Sequence, residues 1–206
     1  MKQKHFIDTH KGINFIAILA IMAWYDAWQN TTLWIYLALH GSYGFLWILK
    51  SRYFGDASWE RETGIGYGLV IWSGLSLYWL APWWIAHFNV QAPGWYLAMC
   101  VAIFAFGVFF HFASDMHKHL YLHHARGTLL TNGLWSLSRN PNYFGELLIY
   151  GGFTLLAMHW VPLLVLAAFI SAVWIPNMLR KDRSLARYPE FADYRKRTRL
   201  LIPFVI

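Results

Sequence analysis

The chain has a single cysteine in 206 residues, Cys100, set inside a long apolar run. That excludes a disulfide framework and a thiolate metal site, and leaves Cys100 a packing residue. Charge is scarce too: Asp, Glu, Lys and Arg make up 13% of the chain against 58% hydrophobic residues, with a mean hydropathy of +0.35. Apolar runs near bilayer length with so few charges exclude an ordinary soluble domain and indicate an integral membrane protein. No Pro-, Gly- or Ser-rich stretch divides the sequence and no internal repeat is visible, so one membrane domain, 1–206, is expected. The N-terminal apolar stretch lacks a small-residue cleavage site, having Asp26 and aromatic residues instead, so a retained first helix is expected.

What is present is an all-α pattern. The apolar runs give about six transmembrane helices: Ile13 to Trp28, Thr32 to Leu49, Gly64 to His87, Gly94 to Ser114, Phe144 to Met158 and Val161 to Leu179. The first and fifth are short for a full span. All 17 Lys and Arg residues fall before the first helix, between the second and third, between the fourth and fifth, or after the sixth. Short cytoplasmic loops collect positive charge, so both termini are expected in the cytoplasm. The same asymmetry accounts for the net charge of +7 through membrane lipids, without nucleic acid. Trp83, Trp84 and Trp95 suit an interfacial aromatic belt.

The densest polar segment, Gly133 to Glu146, stands where the chain re-enters apolar surroundings. Polar groups there are costly unless partnered, so Arg139, Asn142, Tyr143 and Glu146 mark a site. The plain alternative is a helix start, with Asn140 turning the chain and Pro141 opening the helix. Asp26 and Asp115 are the carboxylates nearest the apolar helices; Asp26 is expected within helix one, near its outer end, and Asp115 on the side of the main motif. Gly64-Ile-Gly66-Tyr-Gly68 follows no strand, so it reads as small-residue helix packing and not as a nucleotide loop. His119 and His123 share a helical face, but the remaining histidines are too scattered to saturate a di-metal centre, and no metal is expected. The tail from Asn177 to Tyr194 interleaves Arg and Lys with Tyr and Asp. Such a mixture can neutralise phosphates, stack on a purine and bond a ribose, although a lipid-attracted helix would look similar.

From about Asp115 to the C-terminus the residues resemble the membrane superfamily of steroid 5-alpha-reductases, sterol C14-reductases and isoprenylcysteine carboxyl methyltransferases. The resemblance rests on Arg139-Asn140-Pro141-Asn142-Tyr143-Phe144-Gly145-Glu146, where Asn140 replaces the usual His, and on Arg187-Tyr-Pro-Glu-Phe-Ala-Asp-Tyr194 with Leu201-Ile-Pro-Phe204. It implies an enzyme that binds its cofactor in the C-terminal half, 115–206, with residues 1–114 on the substrate side. Two cofactors occur in that superfamily, NADPH for hydride transfer and S-adenosylmethionine for methyl transfer. The Asn-Tyr-Phe-Gly-Glu form, the Ser114-Asp115-x-x-Lys118 lead-in and the Ile-Pro-Phe ending favour an NADPH-dependent reductase of a carbon–carbon double bond in a lipophilic substrate entering from the bilayer. A methyltransferase acting on a lipid or isoprenylcysteine-type substrate stays open as the alternative. The implied cofactor contacts are Asp115, Lys118, Arg126, Arg139, Asn142, Tyr143, Glu146, Asn177, Lys181, Asp182, Arg187, Tyr188 and Tyr194. The resemblance places Glu146 and Tyr143 at the chemistry. On the substrate side His40 and Tyr43, three residues apart on one helix face, are candidate proton donors, against a plain reading as an interhelical hydrogen bond. Glu60 and Glu62 precede helix three and fit either a substrate mouth or solvated charge.

Overall fold

A computed structural model describes residues 1–125 and 127–205. We label its helices α1 (Gln3–Trp24), α2 (Thr31–Phe54), α3 (Ile65–His87), α4 (Gly94–His124), α5 (Pro141–Leu155), α6 (Trp160–Leu185) and α7 (Phe191–Arg197). Among the described residues there is no strand, only two isolated bridges. Five helices, α1, α2, α3, α4 and α6, are long and apolar enough to cross a membrane, so the chain is a helical membrane protein.

Several helix boundaries differ from the hydropathy reading. α1 starts at Gln3, ten residues before the apolar run, because partners exist for its polar first turns: Asp8 accepts from Trp47 Nε1 (3.2 Å) and Ser51 Oγ (2.8 Å). It ends at Trp24, so Asp26 lies outside the helix, in the turn beyond it at φ 48°. α4 and α6 run on through their charged ends to His124 and Leu185. α5, at 15 residues, is about 22 Å long against a hydrocarbon core of about 30 Å, so the fifth expected span is a shorter helix. Pro141 opens it, where a missing N–H costs nothing.

The chain divides into two compact units, Met1–Ala102 with Gly151–Val165, and Ile103–Tyr150 with Leu166–Ile206.

The first unit is laced by a directional hydrogen-bond chain. Trp79 Nε1, which can only donate, bonds Asn14 Oδ1 at 2.9 Å, which turns the Asn14 amide nitrogen toward His40 Nε2 at 3.1 Å. His40 Nε2 therefore accepts, and its Nδ1–H donates to Tyr36 Oη at 2.9 Å. Tyr36 in turn donates to the Tyr78 carbonyl at 3.1 Å. That carbonyl is available because Pro82, four residues on, has no N–H to offer it. His40 sits in a π-helical turn, Leu37–Gly41, and stacks on Phe153 at 4.3 Å. It thus makes the interhelical bond of the plainer reading. Tyr43 is fully buried, with the Lys11 ammonium 4.5 Å from its ring centroid, a contact that eases the burial of that charge. Of the small residues opening α3, a Cβ at Gly68 would strike the Phe6 ring, whereas Gly64 and Gly66 face open space. Close packing is thus confined to Gly68. The segment before α3 is tied to the start of α1 by Thr63 N to the Met1 carbonyl (2.8 Å) and by Glu60, which accepts from both Lys2 and Lys4.

In the second unit α4 and α5 touch at two glycines. A Cβ at Gly107 would lie 2.6 Å from Ile149 N, and one at Gly145 would overlap the backbone of His111 and the Gly107 carbonyl. Glycine at both positions is what allows this approach.

Gly145→Ala should therefore lower stability by about 1–3 kcal/mol, read as a drop in thermal midpoint in mild detergent. Gly151→Ala on the same helix, where a Cβ meets nothing within 4 Å, should leave the midpoint unchanged or raise it. A second expectation concerns pH. Hydrogen bonds from Lys2 and Lys4 hold the Glu60 carboxyl down at about 2, against an ordinary 4.5. A depressed carboxyl stabilises above its unfolded value and loses that contribution as pH falls. Protection of the amides in residues 56–63, taken relative to their intrinsic exchange rates, should therefore fall between pH 4.5 and 2, and Glu60→Gln should remove that loss of protection.

Candidate functional site

The second unit gathers much of the polar motif around one buried ion pair. Arg139, 7% exposed, donates from Nε to Asp182 Oδ2 at 2.9 Å and from Nη1 to the Thr198 carbonyl at 2.7 Å. Its backbone N–H bonds the Arg199 carbonyl at 2.8 Å. On either side, Ser138 Oγ donates to Leu201 O (2.9 Å) and the Asn140 amide to Leu200 O (2.8 Å). Residues 138–140 thus form a clamp that pins the chain after α7. Asn140, where the resemblance expects His, serves that clamp.

Lys181 donates to the Arg139 carbonyl, and its ammonium stands 4.7 Å from the Trp135 ring centroid. Trp135 is a hub that the sequence reading passed over. Its indole N–H donates to the Ser114 carbonyl (3.2 Å) and its own carbonyl accepts from Tyr194 Oη (2.6 Å). Burial raises the Tyr194 phenol well above its usual value, so it stays a neutral donor. Beside Ser114, Asp115 is 4% exposed, with Lys118 Nζ at 3.5 Å and His111 Nε2 at 4.0 Å. His111 closes the circuit, its Nδ1 lying 3.1 Å from the Asn142 carbonyl. Its i, i+4 spacing to Asp115 is the signal that could have flagged it.

Asp115, Lys118, Arg139, Asn142, Lys181, Asp182 and Tyr194 are therefore linked within one unit, directly or through single intermediates. Tyr143 and Glu146 are half-buried on the same helix as Asn142, with the Tyr143 ring 5.7 Å from that of Trp174. Trp174 ends a π-helical turn, Ile170–Trp174, just before Pro176. Further out, Asn177 accepts from Arg180 (3.3 Å), and the exposed Arg187 lies 5.0 Å over the Tyr188 ring. These pair locally and are not tied into the cluster by a hydrogen bond of their own. Arg126 lies outside the described residues. His40 and Tyr43 belong to the first unit. No three His, Cys, Asp or Glu side chains converge on a metal position among the described residues.

The cluster is asymmetric in its hydrogen bonding. Its inner cations are engaged: the buried Arg139 by Asp182 and carbonyls, the half-buried Lys181 by a carbonyl and a ring face. Three buried oxygens, Asp182 Oδ1, Asn140 Oδ1 and Asn142 Oδ1, have no donor. Such atoms cost about 1–3 kcal/mol each when left unpaired. A ligand rich in N–H and O–H donors, such as an adenosine or a ribose, meets that demand.

Breaking the ion pair tests its structural weight. Asp182→Ala strands a buried guanidinium and should destabilise the protein by about 3–5 kcal/mol; Arg183→Ala, at an exposed position one residue on, should change stability by less than about 0.5 kcal/mol. Equal midpoints for the two variants in detergent would show that the pair organises nothing.

Comparison with known proteins places this arrangement. Residues 70–199, more than half the chain and the whole of the cluster, match the model of a family described as "Protein of unknown function (DUF1295)". Over 91 residues, 41% of this chain, the sequence is 30% identical to "Uncharacterized protein C7D4.09c" of Schizosaccharomyces pombe. The match spans 33% of that protein's length. The chain belongs to the DUF1295 family, a family of steroid 5-alpha-reductase-like membrane proteins.

Proposed function

We propose that this protein is a membrane-embedded, NADPH-dependent reductase of a carbon–carbon double bond in a lipophilic substrate, with the nucleotide held by the second unit. One observation carries the reading: the Arg139–Glu146 motif and the basic C-terminal helices meet around a buried cluster whose unsatisfied atoms are all acceptors. The nucleoside parts of NADPH offer ribose hydroxyls, an exocyclic amine and a carboxamide, which suit Asn142 Oδ1 and Asp182 Oδ1. Its phosphates need cations that are not already committed, and Arg180, Arg183 and Arg187 are exposed. The Arg187–Tyr188 pair offers a face for a purine to stack on.

NADPH supplies a hydride. The chain's own contribution is to bind and orient the nucleotide, keep water away, and deliver a proton to the partner carbon or a polarised carbonyl. Tyr143 and Glu146, half-buried beside Asn142, are the proposed proton-handling groups. In this reading Arg139 and Lys181 position the site and do not contact phosphate, and His40 with Tyr43 keeps the first unit packed.

A second reading has a specific observation in its favour. S-adenosylmethionine carries an ammonium and a sulfonium, no phosphate, and the surplus of buried acceptors suits cations. The two are separated by thermal shift in mild detergent, with the mass of co-purifying small molecules as a second measurement. NADPH should raise the midpoint, and Asn142→Ala should weaken its binding about three- to tenfold, the loss of one hydrogen bond. Stabilisation by S-adenosylmethionine alone would replace the reductase with the methyltransferase.

A further inference from the structure

The second unit contains a cavity that the proposed chemistry does not use. It has a volume of about 380 Å³ and is lined by apolar residues, within the range of small-molecule sites. α4 contributes Ile103, Phe106 and Phe110, spaced i, i+3, i+7 along one stripe. α5 contributes Phe144 and Leu148, again one face of a helix. The last wall is Leu137 with the segment Ile202–Phe204. Phe204 holds φ 65° with 81% of its surface exposed, a backbone conformation that is costly for a residue with a bulky side chain.

The position of this groove on α5 separates it from the polar cluster. Phe144 and Glu146 are two residues apart, so their side chains diverge by about 200° around the helix axis. Asn142 shares the Glu146 side and Leu148 the Phe144 side. A molecule in the groove therefore lies behind α5 as seen from the motif. Along α4, Phe110 is five residues, or about 7.5 Å, from Asp115, so one end of the groove approaches the polar band and the other runs into the apolar part of a membrane-spanning helix. Arg199 adjoins the groove through its backbone. It is exposed, it pairs with Ser138, the neighbour of groove residue Leu137, and it precedes Ile202 by three residues.

We infer that this groove is a binding site for an anionic phospholipid, one acyl chain lying against Phe106, Phe110, Phe144 and Leu148 and the phosphate headgroup meeting Arg199. The apolar lining matches a hydrocarbon chain in shape and polarity. The adjoining cation selects the headgroup, since a basic residue at the membrane surface favours anionic lipids severalfold. Because Ile202–Phe204 forms one wall, and the preceding residues are pinned by Ser138, Arg139 and Asn140, lipid in the groove also braces the clamp around the ion pair.

The test uses the full chain purified in mild detergent, delipidated, and titrated with phosphatidylglycerol or phosphatidylcholine under native mass spectrometry. Phosphatidylglycerol should be retained preferentially and should raise the thermal midpoint. Arg199→Gln, a surface change that leaves the backbone bonds of the clamp in place, should lower phosphatidylglycerol retention about fivefold and leave phosphatidylcholine unaffected. Leu148→Phe, which narrows the groove, should reduce retention of both. Equal retention of the two lipids, or unchanged retention in Arg199→Gln, overturns the inference. A dimer that Leu148→Phe dissociates, with no lipid bound, overturns it in favour of a contact between copies. The result does not depend on whether NADPH or S-adenosylmethionine binds.

Discussion

The second unit is organised by an ion pair that is largely shielded from water. Arg139 and Asp182 have side chains only 8% and 10% exposed, at 2.9 Å. Two charges in such a place are tolerable only when their geometry is good and their other hydrogen-bonding positions are filled. That requirement explains much of what surrounds them. The chain after α7 has to bring the Thr198 carbonyl to Nη1, and Ser138, Asn140 and the Arg139 backbone hold it there. Lys181, one residue from Asp182, adds a positive charge, and is accommodated by a carbonyl and the face of Trp135. Trp135 must then be fixed in turn, and Ser114 and Tyr194 fix it. A short motif in sequence thereby controls the placement of α4, α5, α6 and α7 within this unit.

The clamp changes how basic residues in such a motif should be understood. Net positive charge around a polar motif suggests phosphate binding, but a charge already bonded to protein has little left to offer a ligand. Arg139 and Lys181 spend their donors on carboxylate and carbonyl oxygens. The cations that remain exposed lie on α6 and just after it, at Arg180, Arg183 and Arg187. What the buried part of the cluster lacks is donors, at Asp182 Oδ1, Asn140 Oδ1 and Asn142 Oδ1. Under the proposed function, nucleoside recognition would fall to the interior and phosphate recognition to the rim, two tasks that charge counting alone merges.

Much of this was legible in the sequence, and what was not has physical causes. Long apolar runs with charge confined to alternate connections identify membrane helices, because hydrocarbon tolerates little else. The prominence of Arg139 could be read from its type and position. The ends of α1, α4 and α6 could not, since hydropathy stops at the first polar residue whereas a helix continues as long as its polar side chains find partners, as Asp8 does with Trp47 and Ser51. Trp135 was hidden among thirteen tryptophans, most of which need no explanation beyond an apolar body and one N–H donor. His40 illustrates a different limit. Its spacing to Tyr43 suggested chemistry, but its bonds run to Asn14 and Tyr36, and only the tertiary placement of α1 against α2 brings Asn14 within reach.

α5 shows how one short helix can serve two solvents. Its Asn142 and Glu146 side carries the motif, and its Phe144 and Leu148 side faces the apolar groove. Gly145, between them in sequence, lets His111 and Gly107 of α4 approach closely enough for the His111 ring to reach the Asn142 carbonyl. A larger residue at 145 would separate the helices, lengthen that bond and widen the groove together, so packing, polar site and apolar cavity are set by the same contact. The shortness of α5 fits this role: a helix that ends in a polar cluster on one side has no need to cross the full hydrocarbon layer, and Pro141 starts it at the depth where Arg139 can still be enclosed by the chain that follows α7.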